Sequence, residues 1–157
     1  VDVDGHGSGR PDLNAALRRL RIELGILNDK VASAAGLNPR DLDLLDVVTH
    51  DGPCTPTQLA ARTGVRAATL TGMLARLERD GWITRTPDRS DGRSVHITAA
   101  ARIEQLTTLY ATADARVGDL TAAFSQEEKT VIARFLNQVA DAARLASDQL
   151  SPSDART

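Results

Sequence analysis

Leu13, Leu17, Leu20, Leu24, Leu27 and Val31 recur at alternating steps of four and three, which lines them along one stripe of a helix. Arg18, Arg19, Arg21 and Glu23 fall on other faces, so the spacing predicts an amphipathic helix ending near Gly36. Asn38-Pro39 opens a second helix, with Asn as cap and Pro in the first turn; Leu42, Leu45 and Val48 form its apolar side and Gly52-Pro53 stops it. Thr55-Pro56-Thr57-Gln58 is a further start signal, Thr capping and Gln three residues on, for a short helix that Gly64 breaks. Another helix runs from about Arg66 to Asp80 with Leu70, Leu74 and Leu77 inward, and Gly81 ends it. Two helices joined by a tight glycine-containing turn form a helix-turn-helix candidate.

The period then changes from helical to alternating. Trp82–Thr86 and Ser94–Thr98 are rich in β-branched residues and flank the polar stretch Pro87-Asp88-Arg89-Ser90-Asp91-Gly92-Arg93, which reads as a hairpin. After Thr98 the helical rhythm returns through Ile103, Leu106, Tyr110, Ala113, Val117, Leu120 and Phe124. Ser125-Gln126-Glu127-Glu128 is a capping box, and Ile132, Phe135, Val139, Ala142 and Ala146 carry the stripe on to about Leu150. Residues 1–11 and 151–157 lack such periodicity and read as tails. The fold class that follows is mainly α with a small β-hairpin wing: a winged helix-turn-helix at 38–98, flanked by an N-terminal helix at 12–37 and C-terminal helices at 99–150.

Three long amphipathic helices outside a compact centre offer more apolar stripe than that centre can cover. Their repeat suits side-by-side packing at shallow angles, so the expectation is a homodimer held by Leu13, Leu17, Leu20, Leu24, Phe135, Val139, Ala142 and Ala146.

Charge changes the picture only once it is divided along the chain. The whole carries a net charge of −2, yet residues 52–98 hold seven arginines against four acids, and the remainder is acidic. A basic centre fits a phosphate-binding surface, and the inferred partner is double-stranded DNA. On the second helix of the motif, Arg66, Ala67, Thr69, Thr71, Gly72 and Arg76 lie on or near the free face. Small residues there permit close approach, Thr can touch a thymine methyl and Arg66 can pair with guanine. On the wing, Arg89 and Arg93 suit a narrow minor groove, with Asp91 orienting Arg93.

No run of apolar residues is long enough for a membrane span, and no signal segment opens the chain, which points to the cytoplasm. Cys54 is the sole cysteine and reads as a structural thiol. His6, His50 and His96 are scattered, and no metal-ligand spacing, phosphate loop or nucleophile motif appears, so neither an enzyme nor a cofactor is expected. A winged-helix protein–protein interaction module without specific DNA binding remains the alternative on these residues.

The stretch LAARTGVRAATLTGMLARLERDGWITRTPDRSDGRSVHITAAA, Leu59 to Ala101, resembles the MarR family of transcriptional regulators. The most specific part is RLERDGWI, a short strand, then DRSDGRSVHIT. The resemblance implies a pseudo-palindromic operator bound by a homodimer, repression of nearby genes, and release by a small-molecule effector entering between the two domains. It also implies that Thr69, Thr71 and Arg76 belong to the recognition helix, that Asp91 and Arg93 form the wing pair, and that the terminal helices dimerise. Arg66 stands where the family often has Ser, so weaker capping is expected at that helix start.

Overall fold

The computed structural model describes residues 12–87 and 94–150. The two expected tails lie outside that range, and so do Arg89, Asp91 and Arg93 of the hairpin tip.

Helix α1 spans Leu13–Ala35. Asp12 caps it, Oδ1 accepting from the N–H groups of Asn14 and Ala15 at 3.0 and 3.1 Å. Helix α2, Pro39–Asp51, starts as the sequence predicts, with the Asn38 side chain accepting from the Asp41 N–H at 2.9 Å. Helix α3, Pro56–Thr63, carries the full Thr55/Gln58 capping box. Helix α4 spans Ala67–Arg79 and begins one residue later than expected, because Arg66 has extended backbone and makes no capping bond.

Strands β1, Ile83–Pro87, and β2, Val95–Ala99, pair antiparallel with Ile83 opposite Ala99 and Arg85 opposite Ile97. Each starts one residue later than the sequence suggested. Cys54 exchanges both backbone hydrogen bonds with Ile97, at 3.2 and 2.8 Å, and so lies beside β2 on its free edge. A single 3-10 turn at Ala101–Ile103 leads into α5, Glu104–Ala122. Helix α6, Gln126–Leu150, opens with the predicted box: the Ser125 N–H donates to Glu128 Oε2 at 2.8 Å, and Ser125 Oγ accepts from the Glu128 N–H.

One apolar core gathers Leu42, Leu44, Leu45 and Val48 of α2, Leu59 of α3, Leu70, Met73, Leu74 and Leu77 of α4, Trp82, Ile83 and Ile97. Leu44 joins the α2 residues foreseen from periodicity because α2 is packed on three sides, by α1, α3 and β2. The hairpin, marginal alone, gains its stability from Ile83 and Ile97, which turn inward against the helices. Helix α1 contributes only its last two turns to this core, and α5 contributes Leu106. Helix α6 has no buried residue at all. The chain is therefore a closed central unit from which three amphipathic helices extend. None of the described helices is long and apolar enough to cross a membrane.

Candidate DNA-reading site

The turn between α3 and α4 is three residues long, and Gly64 in it adopts φ 67°, a left-handed conformation that a side chain disfavours. Val65 tucks against the core, so α4 leaves the turn with a fixed direction and packs on α3 and β1. Its inward stripe is Leu70, Met73, Leu74 and Leu77. At 100° per residue, the opposite stripe is Ala68, Thr71, Gly72, Ala75 and Arg79, all exposed.

The expected contact residues divide on this surface. Arg66, Ala67, Thr69, Thr71 and Gly72 are all exposed. Thr71 Oγ1 donates to the Ala67 carbonyl at 2.9 Å, which spends its proton on the helix and leaves its methyl and lone pairs outward. A β-carbon at Gly72 would meet no atom within 4 Å, so nothing inside the chain requires glycine there. Arg76 is placed differently from the others: its Nη2 sits on both carboxylate oxygens of Asp41 in the first turn of α2, at 2.5 and 2.7 Å. The first role of that guanidinium is to neutralise a buried acid. Arg89, Asp91 and Arg93 lie outside the described residues.

Ala68, Ala75 and Arg79 were missed by the sequence reading although they sit at the centre of the outward face. The signal was available: at 100° per residue the face opposite Leu70, Leu74 and Leu77 falls on 68, 72, 75 and 79, and Met73 only widens the inward stripe. Behind α4 the ribbon is tied on by Arg85, whose Nε lies 3.1 Å from Glu78 Oε2. On its outer face the hydroxyls of Thr84 and Thr98 bond across the strands at 2.7 Å.

The expected dimer residues are largely uncovered within one chain. Leu13, Leu20 and Leu24 are about half exposed, while Leu17, Phe135 and Val139 are partly covered and Ala142 and Ala146 are open. Ile132 of the predicted stripe is exposed too, and Ile22 and Ile26 on the opposite side of α1, with Val131, Leu136 and Leu145 on α6, add apolar surface that the sequence reading did not assign. Between α1 and α6 runs a groove of about 980 Å³ lined by Leu17, Leu20, Leu24, Leu136 and Val139.

Where the central unit meets the helices, Tyr110 of α5 donates to Asn28 Oδ1 of α1 at 2.8 Å. Burial raises its phenol above the usual range, and Asp46, Asp43 and Asp114 add to this. Partial burial and then Asp43 raise the Asp46 carboxyl. The Cys54 thiol is 8% exposed, and burial followed by the nearby Asp51 pushes it up, the reverse of an activated thiolate. Among the described residues no group of three or more His, Cys, Asp or Glu converges as a metal site.

The family model described as the MarR family matches residues 35–94, from the end of α1 through β1. HTH-type transcriptional regulator YcgE of Bacillus subtilis is 30% identical over 125 residues, which cover 79% of this chain and 81% of YcgE. The chain belongs to the MarR family. HTH-type transcriptional regulator PecS of Dickeya dadantii is 31% identical over 144 residues, 83% of this chain and 85% of PecS. Among solved structures, a mutant of MepR from a multidrug resistant S. aureus clinical isolate superposes with a TM-score of 0.72 at 17% identity, covering 86% of this chain and 99% of that one. FabT of Streptococcus pneumoniae, solved in complex with DNA, gives 0.59 at 22% identity, covering 82% and 93%. The protein thus has the winged helix-turn-helix fold of MarR-family regulators, with α4 as the second helix of the motif, and is a DNA-binding transcriptional regulator rather than an enzyme.

Proposed function

We propose that this MarR-family protein is a homodimeric repressor that reads a pseudo-palindromic operator in duplex DNA, with α4 as its recognition helix. The observation that carries the reading is the outward face of α4. Five successive positions of one stripe, Ala68, Thr71, Gly72, Ala75 and Arg79, are exposed and four of them are small, on a helix whose other face is locked into the core. Such a face lets the helix backbone approach base edges closely, while Thr71 offers a methyl for thymine and Arg66, Arg79 and the open N–H groups of the first turn meet phosphate or guanine. FabT, which shares the fold, is a DNA-bound relative.

Two such helices related by a two-fold axis enter successive major grooves about 34 Å apart. The uncovered apolar stripes of α1 and α6 supply the contact that sets this spacing. Arg93, with Asp91 orienting it and Arg89 nearby, reaches the adjacent minor groove from the wing. A small-molecule effector that favours another helix spacing weakens binding by its differential affinity for the two arrangements.

The test is selection of duplexes from a random pool by the full-length protein, followed by affinity and salt dependence on the enriched sequence. An enriched site with two-fold related halves, bound by a dimer and weakened steeply by salt, is the expected result. Enrichment of no sequence would overturn the reading. Arg93→Ala should cost about 1–3 kcal/mol of binding.

A further inference from the structure

The C-terminal end of the recognition helix is held by a residue from the entrance of a dimerisation helix. Arg102 lies in the 3-10 turn that opens α5. Its Nη1 donates to the Asp80 carbonyl at 2.6 Å, and its guanidinium carbon stands 4.4 Å from the centroid of the Trp82 ring. Asp80 closes α4, so this carbonyl belongs to the negative end of the helix, where a cation is favoured and an orphan acceptor needs a donor. Trp82 is buried, and its backbone joins both sides: its N–H donates to Leu77 in the last turn of α4, and its carbonyl accepts from Ala100. Gln105 Oε1 steadies Arg102 Nε at 3.4 Å.

Arg76 ties the same half of α4 to Asp41, in the first turn of the helix that follows α1. Both links therefore join the C-terminal half of α4 to segments adjoining the dimerisation helices, while the start of α4 carries no side-chain cap. A guanidinium suits the α5 link, because it donates to Asp80 through Nη1 while its carbon lies over the Trp82 ring. We propose that Arg102 is a positioning residue for DNA reading: it sets the angle of α4 against α5, and so the spacing of the two recognition helices, without touching DNA. The inference rests on the DNA-reading function above.

A duplex of about 30 base pairs, enriched from a random pool by the wild-type dimer, serves as the probe. Its affinity for wild type, Arg102→Ala and Arg102→Lys is measured by anisotropy across a salt series. Arg102→Ala is expected to stay a folded dimer by circular dichroism and sedimentation, yet bind about tenfold more weakly, with an unchanged slope of log affinity against log salt. Arg102→Lys, which keeps a donor for Asp80 but not a guanidinium over Trp82, should fall between them and stands in should the alanine variant fail to fold.

Trp82 is the sole tryptophan, so its emission reports the contact directly. It should shift in Arg102→Ala, and the change that DNA produces in the wild-type emission should shrink. Wild-type affinity in the variants would overturn the proposal. So would a slope shallower by about 0.9 per subunit, since that would mark Arg102 as a phosphate contact. Enrichment of no duplex by the wild type would remove the DNA-reading function and this role with it, an outcome distinct from either.

Discussion

Arg76 and Asp41 form a pair in which the two partners are unequally buried: the Asp41 side chain is 3% exposed and the Arg76 side chain 42%. The carboxylate also accepts from Asn38 Nδ2 at 2.7 Å, so the residue that caps α2 and the residue that anchors α4 meet on one acid. This joint fixes α4 against α2.

The asymmetry orders the mutants. Arg76→Ala strands a buried negative charge with only Asn38 to serve it and should cost about 3 kcal/mol. Asp41→Asn leaves an arginine that can turn to water, and should cost only about 1 kcal/mol. Urea unfolding of both variants checks the order; equal losses, or the reverse, would show that the pair is not held as described.

Gly72 separates folding from binding. An exposed glycine within a helix costs about 1 kcal/mol relative to alanine, and the added methyl would meet nothing in the chain. Gly72→Ala should therefore raise the melting temperature while weakening affinity for the selected duplex, because the new methyl stands between the helix backbone and the bases. A variant both more stable and equally tight would remove Gly72 from the contact surface.

Removing α6 should cost the dimer and spare the central unit. None of its residues is buried within the chain, whereas Val131, Ile132, Leu136 and Leu145 are exposed. A chain ending at Ala123 is expected to sediment as a monomer and still melt cooperatively; a stable dimer of that length would place the interface elsewhere.

Asp46 makes stability depend on pH in a stated direction. Its folded value lies above the ordinary 3.8, so the native state holds the proton more tightly than the unfolded chain does. Stability therefore falls as pH rises from 3.8 through the folded value, and above it the whole cost is present. Asp46→Asn should raise the urea midpoint at about pH 7, with the gain vanishing at about pH 3. The gain is small, since the residue keeps much of its surface in water. A variant no more stable than wild type at neutral pH would contradict the shift.

Much of the fold was legible along the chain because local signals agreed with one another. The Asn38, Thr55 and Ser125 caps each stand at a helix start, and the alternation after Trp82 marks both strands to within one residue. The recognition face was only partly legible. The stripe opposite Leu70, Leu74 and Leu77 already falls on Ala68, Gly72, Ala75 and Arg79, but the reading favoured the start of the helix and residues with evident base-contacting chemistry. Arg76 passed for a free cation because its partner is 35 positions away, and no local pattern joins an arginine to a distant aspartate.

Periodicity and capping chemistry are properties of neighbouring residues. The order of helices, the turn at Gly64, the hairpin and the surplus of apolar stripe at both ends were therefore already written in the linear pattern. Burial and pairing depend on which surfaces meet once the chain has folded. That Arg76 belongs to Asp41, that Arg102 crosses from the entrance of α5 to the end of α4, and that α6 buries no residue within its own chain came from the packing of distant segments alone.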